Sequence, residues 1–125
     1  MMHLSAQRAD DYGMHGVTFR SFARSATGAT QVGAWQAEFA PETPGEPHRM
    51  SVEEVLRVLS GQLRVEIDEE ALDVVAGEAV VVPAGALLRV SNTTLEPAAA
   101  WVVTPLGMTV TMEADGARFA PPWAQ

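Results

Sequence analysis

The chain has 125 residues, a net charge of −8, 47% hydrophobic residues and no cysteine. This length suits one domain with its own core, and the negative charge argues against a nucleic-acid partner, because affinity there comes chiefly from Lys and Arg on phosphates. Without cysteine the chain has neither disulfides nor a thiolate metal site, and its apolar stretches are far shorter than the roughly 20 residues that span a bilayer. No secretory signal is visible at the N-terminus, so a cytoplasmic protein without a membrane partner is expected.

The apolar runs are short and are separated by turn residues, which predicts strands. Residues 1–16 are weakly patterned, and the first predicted strand covers 17–23. Residues 31–40 alternate well, with Trp35, Ala37 and Phe39 on one face. Further strands are predicted at 62–68, 71–76, 79–82, 87–91, 98–104 and 108–113, and the wholly apolar run 79–82 is typical of a buried strand. No helix of ten residues or more is indicated, so a barrel or sandwich is expected.

The most informative stretch is residues 44–61, where an alternating apolar run follows a turn-forming cluster. In an extended strand His48 and Met50 share one face, and from Glu54 onwards Glu54, Leu56 and Val58 share a face. If Leu56 and Val58 face the core, Glu54 faces it too. A buried carboxylate and imidazole require a partner or a function.

Two blocks of this sequence resemble the two motifs of the cupin family. The first is His48-x-Met50, Glu54 and Gly61, and the second is Gly77, Pro83-Ala-Gly85, Leu88 and Asn92. The second block keeps the cupin spacing throughout. Met50 and Leu88 stand where cupins have their second and third His, and Glu42 stands where the leading Gly is expected, with Gly45 three residues before His48.

The resemblance implies an all-β double-stranded β-helix, the cupin or jelly-roll barrel, as a single domain over 1–125. Its core would cover about 31–113, preceded by an N-terminal strand region at 1–30 and followed by a Pro-Pro-Trp tail at 119–125. Gly61, Gly77, Pro83, Gly85 and Asn92 are expected to serve turn and strand geometry rather than ligand contact.

Cupins similar to this chain hold a metal with three His and one Glu, and only His48 and Glu54 carry over here. The metal site is therefore expected to be degenerate, with no cofactor, because stable sites need about three or four suitable ligands. If a metal binds, His48 and Glu54 would hold it, as a divalent ion or, with the Met50 thioether, as Cu(I).

Three functions stay open at this point. The first is a metal-independent cupin that binds a small molecule in an apolar pocket formed by His48, Met50, Glu54, Leu56, Leu88, Trp35 and Trp101. The second is an isomerase, lyase or decarboxylase that uses Glu54 and His48 as an acid/base pair. The third is a dioxygenase-like enzyme with an atypical metal. A barrel that only packs, with His48 and Glu54 satisfied by each other or by water, is the structural alternative.

A homodimer is expected by resemblance alone, since cupins often pair through N-terminal strands. Residues 17–40 and the Trp123 tail are the candidate interface.

Overall fold

The computed structural model describes residues 2–125, and its regular secondary structure is mainly short strands. Three single turns of 3-10 helix cover Ala6–Arg8, Ser25–Thr27 and Pro122–Ala124. Within the described residues no helix is long and apolar enough to cross a membrane. The strands are β1 (Asp10–Met14), β2 (Val17–Ala23), β3 (Val32–Phe39), β4 (His48–Met50), β5 (Glu54–Ser60), β6 (Gln62–Ile67), β7 (Glu70–Val75), β8 (Ala79–Val82), β9 (Leu87–Ser91), β10 (Ala98–Pro105), β11 (Val110–Met112) and β12 (Arg118–Phe119).

The strands form two antiparallel sheets that enclose the core. The first sheet has the order β1-β2-β3-β10-β5-β8, and the second has the order β12-β11-β4-β9-β6-β7. Consecutive strands therefore alternate between sheets over much of the chain, which is the jelly-roll arrangement of a double-stranded β-helix. The predicted fold is confirmed.

Alternate residues of the strands point into the core. Leu63 and Val65 of β6 are almost fully buried, and so are Leu56 and Val58 of β5, whereas Val55, Arg57 and Leu59 point outwards. Burying a side chain of this kind stabilises the fold by about 1.5–3 kcal/mol. Glu54 has the same parity as Leu56 and Val58, and it is buried as well.

The stretch 48–60 is divided between the two sheets. β4 lies in the second sheet between β11 and β9, and β5 lies in the first sheet between β10 and β8. Residues 51–53 cross from one sheet to the other, and the Ser51 N–H donates to the Thr109 carbonyl (3.0 Å) at this crossing. His48 and Glu54 thus approach the interior from opposite sheets.

The prediction of a buried strand at 79–82 was wrong. β8 pairs with β5 alone and forms an edge of the first sheet, so Val81 is 59% exposed while Val82 is buried. The apolar run suggested burial on both sides because both faces of β8 are apolar, but only one of these faces packs against the core. β1 was not predicted, because this exposed edge strand has no apolar alternation.

The loop before β4 contains two residues in the left-handed region, Glu42 (φ 55°) and Gly45 (φ 70°). Glu42 occupies the position where cupins have a glycine, and its backbone adopts the angle that favours glycine. Gly45 is needed for a steric reason, because a Cβ there would lie 2.1 Å from the Val90 carbonyl oxygen. The loop therefore packs tightly on β9.

Asn92 holds the same loop in place. Its side-chain amide donates to the carbonyls of Ala40 (3.2 Å) and Glu96 (2.7 Å), and its backbone N–H donates to the Thr43 carbonyl (2.8 Å). Asn92 is almost fully buried, so these bonds satisfy polar groups that water does not reach. This arrangement agrees with the structural role expected for Asn92.

Candidate functional site

A cavity of about 110 Å³ lies between the sheets. Sixteen of its 21 lining residues are hydrophobic, and five of those sixteen are aromatic: Phe19, Trp35, Phe39, Phe119 and Trp123. The four lining residues with polar side chains are His15, Glu46, His48 and Glu54. A concave, mainly apolar space with a few polar groups is the usual form of a small-molecule site.

Among the described residues that line the cavity, Glu54, the first residue of β5, is the one buried acid. It is 6% exposed, and no hydrogen bond to its carboxyl is made by the described residues, nor does a cation lie beside it. Burial disfavours the charged form and raises the pKa of Glu54 to about 8. The carboxyl is therefore mainly a neutral acid at pH 7, able to donate a hydrogen bond into the cavity.

His48, the first residue of β4, is half-buried at the same cavity. Its Nδ1 lies 2.8 Å from the Glu46 carbonyl oxygen. Because a carbonyl only accepts, Nδ1 carries the hydrogen, and Nε2 of the neutral ring is left as an acceptor. Desolvation lowers the pKa of His48, the hydrogen bond to Glu46 opposes that shift, and the neighbouring His15 lowers the pKa further.

The remaining metal positions of the cupin motif carry hydrophobic side chains at this cavity. Leu88 is the strand partner of His48, and Met50 lies two residues along β4. Both are at most 2% exposed. In residues 2–125 no three His, Cys, Asp or Glu side chains come together as a possible metal-binding group. The donor set of His48 and Glu54, with at most a thioether added, does not fit the three or four ligands of a divalent site.

Of the two tryptophans expected in the pocket, only one lines the cavity. Trp35 is 3% exposed and lines the cavity. Trp101 does not line it, because Ala100 and Val102 take the inward positions of β10 and the alternation turns Trp101 outwards. There it packs against Phe22, with ring centroids 5.5 Å apart. Trp101 is therefore removed from the set of pocket residues.

Trp123 enters the set in its place. It lines the cavity and stacks on Phe19 of β2, with ring centroids 4.0 Å apart. We expected this tail to contribute to a dimer interface, and the structure buries the Trp123 side chain within its own chain, where it is 7% exposed. An aromatic residue after two prolines indicates that the tail packs against the protein, but it does not indicate on which surface the aromatic ring packs. The homodimer through residues 17–40 and the tail stays a prediction.

His15 also reaches the cavity, from the turn between β1 and β2. Its backbone lies in the left-handed region (φ 52°), an unusual conformation for a residue with a side chain. This exposed residue, with Glu46, forms part of the rim. Sequence reasoning left His15 without a role, because no spacing relates it to His48.

The family is settled by a sequence match. Residues 35–105, more than half of the chain, match the model of the cupin domain. The protein belongs to the cupin family. No functionally curated protein matches the sequence.

Solved structures agree with this fold. A polyketide cyclase, RemF from Streptomyces resistomycificus, has a TM-score of 0.75 at 20% identity, with 84% of this chain and 79% of that chain covered. A sugar phosphate isomerase from Silicibacter pomeroyi has a TM-score of 0.74 at 20% identity, with 94% and 92% covered. Oxalate decarboxylase from Bacillus subtilis has a TM-score of 0.74 at 19% identity, with 84% of this chain and 29% of that chain covered. These identities support a common fold and leave the activity open.

Proposed function

We propose that this cupin binds a small, mainly apolar molecule in its barrel cavity without a metal. The observation that carries the proposal is the composition of the cavity wall, in which sixteen of 21 residues are hydrophobic. A dry cavity of about 150 Å³ lined by aliphatic and aromatic residues binds benzene, and the cavity here is of similar size. A monocyclic aromatic compound is therefore a suitable probe.

The residues that line the cavity suit some of the ligands named for the structural neighbours better than others. Oxalate and sugar phosphates are anions, which proteins bind with Arg, Lys or a metal. None of the eight arginines lines this cavity, and two glutamates do. An uncharged ligand that contains an aromatic ring matches the wall better. Metal independence is part of the same proposal, because the donor set is too small.

Ethylbenzene binding tests this function. It can be measured by calorimetry and by the fluorescence of Trp35 and Trp123. The matched pair of variants is Val102→Phe and Val103→Phe, neighbours on β10 that face the cavity and the outer surface respectively. Filling the cavity at residue 102 should abolish binding, whereas the same substitution at residue 103 should leave it unchanged. Equal binding by both variants would place the ligand elsewhere.

A second candidate function is acid/base catalysis, of the isomerase, lyase or decarboxylase kind. It is favoured by two neutral groups of opposite hydrogen-bonding character at one cavity, the Glu54 acid and the Nε2 acceptor of His48. Burial raises the pKa of Glu54 and lowers the pKa of His48, and buried groups with such shifted pKa values are suited to proton transfer near pH 7. On a substrate that is turned over, Glu54→Gln should abolish turnover while ethylbenzene binding persists. Full turnover by that variant would exclude Glu54 as the acid.

The metalloenzyme alternative is tested by elemental analysis of untagged protein purified without chelators. The proposal expects far less than one metal ion per chain. A stoichiometric transition metal would contradict metal independence and would direct the search to oxygenase and isomerase assays.

A further inference from the structure

The hydrogen-bonding direction of His48 is fixed by the backbone of Glu46, at the rim of the cavity. His48 Nδ1 donates a hydrogen bond to the Glu46 carbonyl oxygen, with the two atoms 2.8 Å apart. The neutral ring then has one donor, already used, and one acceptor, Nε2, which is available to a ligand. A ligand group that meets this nitrogen must donate a hydrogen bond. A hydroxyl does so, whereas an ether or a ketone does not.

Glu54 has the opposite character. Its strand partner is Val82, and the same cavity wall includes Met50, Leu56 and Val102. A carboxylate in such surroundings, with no cation beside it, is far less favourable than the neutral acid. The neutral acid offers an O–H that has no acceptor among the described residues. A carbonyl or similar acceptor on the ligand would satisfy it.

The arginines on the strands that carry His48 and Leu88 are engaged elsewhere. Arg49, which alternates with His48 and Met50 on β4, donates to the Gly85 carbonyl (2.9 Å) and pairs with Glu113. Arg89 donates to the Pro44 carbonyl (2.9 Å). The rim carries the Glu46 carboxylate instead, so a negatively charged ligand would meet repulsion and no counter-charge.

Together these observations define a class of ligand. We propose that the cavity selects uncharged compounds that carry a hydroxyl and a carbonyl on an aromatic body, with the hydroxyl donating to Nε2 of His48 and the carbonyl accepting from Glu54. This inference rests on the proposed function, and it adds the chemical class of the ligand.

The test is a cycle of probes and variants measured by calorimetry at pH 7. The probes are 3-hydroxyacetophenone, 3-methoxyacetophenone, which lacks the donor, 3-ethylphenol, which lacks the carbonyl, and ethylbenzene, which lacks both. The anion 3-hydroxybenzoate is the charged comparison. The variants are His48→Phe, which keeps a ring of similar size, and Glu54→Leu, with Glu54→Gln as the variant that keeps a donor.

In the unaltered protein we expect 3-hydroxyacetophenone to bind roughly fivefold more tightly than 3-methoxyacetophenone or 3-ethylphenol, as one neutral hydrogen bond allows. The preference for hydroxyl over methoxy should fall to near one in His48→Phe alone. The preference for the carbonyl should fall to near one in Glu54→Leu and persist in Glu54→Gln. The benzoate should bind most weakly.

The inference is overturned by equal binding of all uncharged probes, by preferences that survive the variants, or by tight binding of 3-hydroxybenzoate. Equal binding that includes ethylbenzene would leave the proposed function intact. If no probe binds, ethylbenzene included, the proposed function fails with it. The probe series on the unaltered protein decides the matter even if Glu54→Leu does not fold.

Discussion

The indole ring of Trp123 stacks on the phenyl ring of Phe19 with ring centroids 4.0 Å apart and planes 4° apart. The segment that carries Trp123 is held by the Ser21 hydroxyl, which donates to the Trp123 carbonyl (3.2 Å), and by the Gly107 N–H, which donates to the Ala124 carbonyl (3.1 Å). The C-terminal residues therefore form one wall of the cavity.

Trp123→Ala should remove this wall. Truncating a buried tryptophan lowers the free energy of unfolding by about 3–5 kcal/mol, and the widened cavity should bind ethylbenzene more weakly. Trp101→Ala is the matched control, since Trp101 packs on Phe22 at the outer surface. Urea unfolding and calorimetry measure both effects. Equal loss of ethylbenzene binding in the two variants would contradict the assignment of Trp123 to the cavity.

The buried acid should make stability depend on pH in a defined direction. The pKa of Glu54 is about 8 in the folded protein, against 4.5 for an ordinary glutamic acid. The folded state thus holds the proton more tightly, so the stability associated with Glu54 is full below pH 4.5 and is lost as the pH rises through 8. Relative to Glu54→Gln, the unaltered protein should lose a few kcal/mol between pH 5 and pH 9, at roughly 1.4 kcal/mol per unit of pKa shift.

Urea unfolding of both proteins at pH 5, 7 and 9 measures this difference. Glu69→Gln, at an exposed hairpin tip, is the control, and a surface substitution of this kind should change stability by no more than about 0.5 kcal/mol. A difference between the unaltered protein and Glu54→Gln that is constant with pH would show that the Glu54 carboxyl is solvated or paired.

Glu42→Gly should stabilise the protein. A non-glycine residue in the left-handed region costs about 1 kcal/mol or more, and Glu42 has φ 55°. Replacing it by glycine should raise the free energy of unfolding by about 1 kcal/mol, partly offset by the greater freedom of glycine in the unfolded chain. Glu42→Ala, which keeps the Cβ, should bring no such gain. A destabilised Glu42→Gly variant would show that the glutamate side chain contributes a contact of its own.

Restoring the two missing histidines should create a metal site. Met50→His with Leu88→His would add two imidazoles beside His48 and Glu54, giving the four ligands that a divalent ion requires. The double variant should bind Zn²⁺ or Mn²⁺ more than about 100-fold more tightly than the parent, whereas Met50→Leu should behave as the parent does. A parent that already binds as tightly as the double variant would overturn metal independence.

The sequence predicted what depends on strand alternation and on turn geometry. The parity of Glu54 with Leu56 and Val58 was enough to place a carboxyl in the interior, and the two motif blocks were enough to predict the barrel. The edge position of β8 was missed, because the number of strands that flank a run is not encoded in its apolar pattern. The direction of Trp101 could have been read from its alternation with Ala100 and Val102.

The contributions of His15 and Trp123 could not be predicted in the same way. Both reach the cavity from segments distant in sequence, a turn near the N-terminus and a tail near the C-terminus. Their positions depend on the packing of the two sheets, which brings Phe19 under Trp123, and no local pattern specifies that contact. The acceptor character of His48 likewise depends on the path of the loop that carries the Glu46 carbonyl.

The metal-free barrel itself is the binding site that we propose. Calorimetric titration of metal-stripped protein with ethylbenzene, repeated after addition of Zn²⁺, Mn²⁺ or Fe²⁺, tests it most directly. We expect one ethylbenzene to bind per chain, with the same affinity in every titration. Binding that is absent from the stripped protein and returns only with a metal would contradict it.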